Sequence, residues 1–96
     1  PEERAIAGKL VRTVMRDGAR IDDELRDVTT NWRLERLGVV ERSVLRLAAA
    51  ELLAGETPPR VVIQEAVKLA EWYASAGSAR FVNGVIDALA RRLGRL

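Results

Sequence analysis

Apolar residues recur every three or four positions along nearly the whole chain, and this spacing constrains the fold more than any other feature. A period of this kind places apolar side chains on one face of an α-helix, whereas a half-buried β-strand needs strict alternation. The segments that carry it are 3–17, 21–32, 41–54, 59–74 and 79–93. Between them, Gly18, Gly55 and Gly77 are predicted helix stops, and Thr57 and Ser78 are predicted caps. The sequence therefore predicts an all-α antiparallel bundle of about five helices in this chain.

Each predicted helix has a face composed mainly of Leu, Val, Ile and Ala, since the chain holds only two Trp, one Tyr and one Phe. In chain order these faces are Ile6, Leu10 and Val14; Ile21, Leu25, Val28 and Trp32; Val40, Val44, Leu47, Ala48 and Leu52; Ile63, Ala66, Val67, Ala70 and Tyr73; and Val82, Val85, Ile86, Leu89 and Leu93. A chain of 96 residues has room for one such core. Residues 1–96 are thus expected to form a single helical domain.

The chemistry of an enzyme is missing from the sequence. Without cysteine or histidine there are no disulfides, no thiolate nucleophiles, no imidazole to activate a serine and no common set of zinc ligands. The segment 77–80 lacks the lysine and flanking strand of a phosphate-binding loop. We therefore expect no catalysis, no cofactor and no metal. No apolar run approaches the roughly 20 residues that span a bilayer, and the first ten residues do not resemble a signal peptide. A cytoplasmic location is expected.

Arginine accounts for 14 of the 16 basic residues, although the formal net charge is only +2. Guanidinium groups contact phosphates in bidentate fashion and stack on bases, so the bias is compatible with RNA binding. It is equally compatible with a GC-rich genome, in which arginine codons displace those of lysine. The composition alone leaves both interpretations open.

Three stretches, in this order and spacing, resemble the NusB antitermination factor family. The first runs from Asn31-Trp32 through Val-Glu-Arg-Ser-Val-Leu-Arg-Leu-Ala at 40–48 to Glu-Leu-Leu at 51–53. The second is Pro-Arg-Val-Val-Ile-Gln-Glu-Ala-Val-Lys-Leu-Ala at 59–70. The third, Ser-Ala-Arg-Phe-Val-Asn-Gly-Val-Ile-Asp at 78–87, is the most specific. The resemblance covers about residues 22–89.

The resemblance implies a fold of about seven helices in two small bundles. It implies a protein partner, NusE of the small ribosomal subunit, and a ligand, the boxA segment of nascent RNA, which assemble on RNA polymerase during ribosomal RNA transcription. Family members begin with an arginine-rich helix and a second helix, and both are absent from residues 1–96. Their absence is expected to weaken RNA binding and to leave apolar surface that favours a homodimer.

The resemblance places the RNA-binding residues on the last predicted helix. Phe81 either belongs to the core or stacks on an unpaired base. Arg80 is expected to contact phosphate from a helix N-terminus, whose amides also bind phosphate. Arg60, in the first turn of its own helix, is a weaker phosphate candidate. Gly77 stands where relatives often carry an acidic residue, so no RNA contact is carried over to it.

For the protein partner, the resemblance implies that Glu41 contacts NusE, with Glu35 as a looser candidate. Two other residues have structural interpretations. Glycine inside a helix costs about 1 kcal/mol relative to alanine, so Gly84 predicts that a neighbouring backbone passes close to it. Asn83 is expected to bond a nearby loop. Trp72 lies off the main apolar stripe and is expected to be partly exposed.

Two alternatives remain at the level of sequence. One is a NusB-like RNA-binding domain attached to an RNA cytosine methyltransferase that modifies ribosomal RNA, with its catalytic domain after Leu96. The other is a helical oligomerisation module without an RNA role. The 40–48 stretch favours the free-standing antitermination factor over the first.

Overall fold

A computed structural model describes the backbone of residues 2–29 and 37–96 and their side chains from Val11 onward. Within these ranges the chain forms four α-helices and no strand. They are α1 (Glu2–Val28), α2 (Val39–Ala54), α3 (Pro59–Tyr73) and α4 (Ala76–Arg92). The prediction of an all-α fold is confirmed, and none of the described helices is long and apolar enough to cross a membrane.

The count of about five helices is slightly too high, because the first two predicted helices follow one another without a loop and form one kinked element. α1 continues through Gly18 and changes direction at Asp17, whose backbone (φ −108°, ψ 17°) is not helical. A glycine costs a helix only about 1 kcal/mol, which packing on either side of it can offset, and no proline interrupts the segment. The predicted extension to Trp32 lies outside the described residues.

The core lies where the four helices meet. Its buried apolar residues are Ile21 and Leu25 of α1, Val44, Leu45, Ala48, Ala49, Ala50 and Leu52 of α2, Val62, Ala66 and Ala70 of α3, and Ala79, Val82, Val85, Ile86, Leu89 and Ala90 of α4. Burying a side chain the size of leucine contributes about 1.5–3 kcal/mol. Most of the residues predicted to lie on buried faces are confirmed. The side chains of Ile6, Leu10 and Trp32 lie outside the described residues.

Tyr73 is the clear error among the predicted core residues. Its side chain is 68% exposed, whereas Val62, which the prediction left out, is 1% exposed. The helical period does place Tyr73 in line with Ala66 and Ala70, but it is the last residue of α3. The chain turns there, so none of the four described helices covers its ring.

Two of the predicted helix ends are also corrected. Gly55 ends α2 in the left-handed conformation (φ 74°), as predicted. However, α3 has Pro58 rather than Thr57 at its N-cap, without a side-chain hydrogen bond. α4 begins at Ala76, capped by Ser75, so that Ser78 is not the cap. Gly77 consequently lies inside the first turn of α4 instead of ending the helix before it.

Arginine side chains hold the helices together at two places. Arg46 of α2 donates Nε and Nη2 to the two carboxylate oxygens of Asp22 on α1, at 2.9 and 3.0 Å. Arg92 at the end of α4 reaches Glu24 and Asp27 of α1, at 3.0 and 2.7 Å. Such bidentate and bridging contacts fix geometry as well as adding energy. They connect α2 and α4 to α1.

Candidate functional site

The first turn of α4 is organised by two serines. The Ser75 hydroxyl accepts a hydrogen bond from the backbone N–H of Ser78 (3.0 Å) and donates to the Ser78 hydroxyl (3.2 Å). A hydroxyl can do both, because it carries one donor and two lone pairs. The Ser78 hydroxyl then donates to Oε2 of Glu41 at 2.8 Å, across 37 positions of sequence. The start of α4 is thereby bonded to the start of α2.

Glu41 is the second member of this arrangement. It is a half-buried residue of the first turn of α2, where a negative charge suits the helix dipole. Its other oxygen, Oε1, accepts from the backbone N–H of Gly38 at 3.4 Å. The residue that the resemblance assigns to the protein partner is thus joined to the segment that it assigns to RNA. Sequence alone gave no sign of this bond.

Arg80 lies in the second turn of α4, with its side chain exposed. Within the described ranges its guanidinium has no hydrogen-bond or ion-pair partner. The expectation that it sits at the helix N-terminus needs correction, because α4 begins four residues earlier. The N–H of Ser78 is taken by the Ser75 side chain and that of Ala79 by the Ser75 carbonyl. Any contact of Arg80 with an anion would come from its side chain alone.

Phe81 is half-buried and packs against the core cluster. It precedes Arg92 by 11 residues, or about three helical turns, so both side chains lie on the side of α4 that faces α1. Arg80, about 100° further round the helix, lies on the outer side. Phe81 is therefore partly a core residue, and the exposed part of its ring is what remains for stacking. Its RNA contact stays a prediction.

Arg60 does not join Arg80 and Phe81. It is exposed in the first turn of α3 and lines an open groove of about 300 Å³ with Gln64, Asp87 and Arg91. α3 and α4 run in opposite directions, so the start of α3 meets the second half of α4. Arg80 and Arg91 are 11 residues apart, about 16 Å along the helix. The structure thus separates the predicted RNA-binding residues into two places, and Glu35 lies outside the described residues.

Comparison with known proteins identifies the family to which this helical arrangement belongs. The NusB family matches residues 1–91. The chain belongs to the NusB family. A relative from Sorangium cellulosum (strain So ce56), named transcription antitermination protein NusB, is 50% identical over 97 aligned positions, which cover 100% of this chain and 69% of that protein. A protein of the same name from Anaeromyxobacter dehalogenans (strain 2CP-1) is 46% identical, over 97% of this chain and 68% of its own length.

A solved structure supports the same fold. One chain in a crystal structure of a plectonemic RNA supercoil superposes with a TM-score of 0.85 at 38% identity, over 91% of this chain and 64% of that one. This chain therefore spans about two thirds of the length of its NusB relatives. By the names of these relatives, the function of the family is transcription antitermination, which is not an enzymatic activity. The names also favour the antitermination factor over a methyltransferase-attached domain.

The surroundings of Asn83 and Gly84 differ from those predicted from the sequence. A Cβ added at Gly84 would meet nothing within 4 Å, so no neighbouring backbone of the described chain passes close to it. Asn83 is exposed, and its side chain makes no hydrogen bond within residues 2–29 and 37–96. Both expectations were wrong for one reason. The pair lies on the outer face of α4, while the helices that pack against α4 contact its inner face.

The NusB fold also exposes two aromatic side chains at the end of α3. Trp72 is 70% exposed, as its position off the apolar stripe predicted, and Tyr73 is 68% exposed. The exposure of Tyr73 could have been anticipated only from the place where α3 ends.

Among the described residues no group of three acidic, cysteine or histidine side chains could hold a metal ion.

Proposed function

We propose that this chain acts in transcription antitermination by binding boxA-type RNA together with NusE. On this proposal it joins the RNA polymerase complex that transcribes ribosomal RNA. The observation that carries the RNA part is the pairing of Arg80 with Phe81 near the start of α4. The guanidinium of Arg80 is exposed and has no partner among the described residues, and the next residue carries an aromatic ring that is only half-buried. Single-stranded RNA is recognised by this combination of cation and stacking ring.

The protein part of the proposal rests on Glu41. Its carboxylate lies at the start of α2 and is bonded to Ser78, three residues before Phe81. A partner that contacts Glu41 therefore lies next to the proposed RNA site. We propose that NusE binds here, with Glu35 as a further contact. This placement would let one RNA strand touch both proteins. A homodimer also stays a prediction.

The test is a titration of labelled boxA-type RNA into the intact protein, with and without NusE, at two salt concentrations. Binding through phosphates should weaken as the salt concentration rises. The function would be contradicted if the intact protein bound neither this RNA nor NusE. That result would favour the helical oligomerisation module.

Phe81 separates stacking from packing within the same titration. Phe81→Ala is expected to lower the affinity for RNA by about 1–3 kcal/mol through lost stacking and the stability by about 2 kcal/mol through lost packing. Phe81→Leu, the matched control, keeps apolar volume but has no ring. It should therefore lose most of the RNA affinity and little stability. If both variants bind RNA like the wild type while melting earlier, Phe81 is a core residue only.

A further inference from the structure

Among the residues that the structure describes, no helix packs over the outer face of α4. Arg80, Gly84, Asp87 and Arg91 follow one another at spacings of four, three and four, which places them on a single line along the helix. Val82, Ile86 and Leu89, fully buried, point the other way. Asn83 lies at the edge of this line, beside a groove lined by Ile63, Val67 and Lys68 of α3.

Gly84 is the unexplained residue on this face. Glycine is required where φ is positive, as at Gly55 and Gly94, but the φ of Gly84 is not positive. It is also required where a neighbour would collide with a Cβ, and here nothing lies within 4 Å. Glycine is among the poorest helix formers, and alanine is the best. No requirement of the described fold therefore explains a glycine at this position.

The side chains around Gly84 have hydrogen-bonding capacity that the fold leaves unused. Arg80 and Asn83 are exposed and have no partner in the described ranges. Arg91 donates its Nε to Asp87 at 2.9 Å, which leaves its two terminal nitrogens available and offsets the one negative charge on the face. Arg60 lies across the groove from Asp87 and Arg91. The surface thus combines three guanidinium groups with a gap in the side-chain cover at Gly84.

We propose that the outer face of α4 binds the sugar–phosphate backbone of a single RNA strand, with Gly84 as the point of closest approach. This inference rests on the proposed function and extends its RNA site from Arg80 towards Arg91 and Arg60. It also gives Arg60, separated from Arg80 in the fold, a place along the same strand.

The chemistry of the face favours RNA over a protein as the occupant. Protein interfaces depend on a few large anchors set in desolvated pockets, and arginine anchors there are usually accompanied by aromatic ones. This face has no aromatic or large aliphatic side chain along its line. Phosphate oxygens, by contrast, accept hydrogen bonds from arginine and asparagine side chains and need close access to the helix surface. Without a Cβ at Gly84, a strand can approach the helix backbone more closely.

Gly84→Ala tests the inference, because binding and stability should change in opposite directions. The added methyl group meets no described residue within 4 Å and improves helix propensity, so the melting temperature should rise. If the strand lies against Gly84, the affinity of the intact protein for boxA-type RNA should fall roughly fivefold or more through lost contacts. Gly84→Leu, which is larger, should bind RNA more weakly still.

Gly18→Ala is the matched control. Gly18 is also a helical glycine whose added Cβ would meet nothing within 4 Å, but it lies on α1. It should raise the melting temperature and leave the RNA affinity at the wild-type value. If both Gly84 variants bind RNA like the wild type while the wild type binds well, this inference fails and the proposed function stands. The inference also fails if only NusE binding is lost. An intact protein that binds no boxA-type RNA overturns both.

Discussion

The two ends of α4 are attached to the rest of the molecule by different chemistry. At the N-terminal end, two serine hydroxyls and the carboxylate of Glu41 form the connection to α2. At the C-terminal end, Arg92 bridges Glu24 and Asp27 of α1, and Arg95 donates to the backbone carbonyl of Leu52. Arg92 and Arg95 are therefore engaged within the fold. At the other end Arg80 remains free to contact a ligand, among the residues that the structure describes.

This difference shows why the number of arginines says little about RNA binding. Arg92 and Arg80 are both exposed residues of one helix. The hydrogen bond to Glu24, together with the charge of Asp27, raises the pKa of Arg92 above its ordinary value. A cation also suits the C-terminal end of a helix, where carbonyl groups concentrate negative potential. Arg92 thus stabilises the fold through its ion pairs. Arg80 forms no ion pair among the described residues.

The largest expected effect is on RNA affinity and comes from replacing Arg80, with Arg92 replaced for comparison. Arg80→Ala should weaken RNA binding about tenfold, since a hydrogen bond to a charged group contributes about 1.5–3 kcal/mol. It should also reduce the slope of log affinity against log salt by about 0.7, the value for one phosphate contact on a single strand. Its melting temperature should stay at the wild-type value. Fluorescence anisotropy at several salt concentrations and thermal unfolding measure both.

Arg92→Ala is the matched control and should show the reverse pattern. It loses its contacts with Glu24 and Asp27, so the melting temperature should fall, while the RNA affinity and the salt slope should stay unchanged. If Arg92→Ala weakens RNA binding as much as Arg80→Ala does, the two ends of α4 do not differ in the way proposed here.

A smaller effect is expected from Ser78→Ala at the N-terminal end. The variant removes the hydrogen bond to Glu41, which should lower the free energy of unfolding by about 1 kcal/mol in urea titrations. Ser43→Ala is the control, because Ser43 is an exposed serine of α2 and gains the same helix propensity. Equal stability of the two variants would mean that the bond between Ser78 and Glu41 contributes nothing.

The smallest effect concerns Glu51 near the C-terminal end of α2. Burial, and secondarily the charge of Glu65, raise the pKa of Glu51. The folded state therefore binds the proton of the Glu51 carboxyl more tightly than the unfolded state does. The contribution of Glu51 to the free energy of unfolding is favourable at low pH and is lost as pH rises through the folded pKa. Glu51→Gln should raise the melting temperature at pH 7, and the gain should shrink at about pH 4, near the unfolded pKa of a glutamate.

Glu71→Gln serves as the control for Glu51→Gln. Glu71 is an exposed carboxylate of α3, and its variant should change the melting temperature little at either pH. Glu51→Gln should also leave RNA binding unchanged, because Glu51 lies on α2 near its C-terminal end and not on the outer face of α4. A gain in stability of the same size at pH 4 and pH 7 would contradict the electrostatic explanation.

Much of the helical pattern was predictable, whereas several helix ends were not. The buried faces of α2 and α4 follow from apolar spacing, because an amphipathic helix shows the same period wherever it packs. The start of α4 was predicted three residues too late, at Ala79. Ser75 and Ser78 are both acceptable caps by residue type, and only the packing of α4 against Glu41 of α2 distinguishes them.

The candidate site was predictable in its residues but not in its arrangement. Phe81 and Arg80 were predicted from the 78–87 stretch, and the structure shows one half-buried and the other exposed. Arg60 was grouped with them, yet the antiparallel course of α3 and α4 carries it to the far end of the hairpin. Gly84 was expected to meet a neighbour of its own chain and meets none.

By itself, the sequence determined that this chain is helical, that its 96 residues include no cysteine or histidine, and that it resembles the NusB family. These properties depend on residue type and on spacing of three or four positions, and both are local. The tertiary structure alone decided which arginines are engaged in ion pairs, that Ser78 binds Glu41, and that the outer face of α4 is open. Those contacts join residues that are distant in sequence, such as the 37 positions between Ser78 and Glu41. They form only when the packing of the helices has set the distances between them.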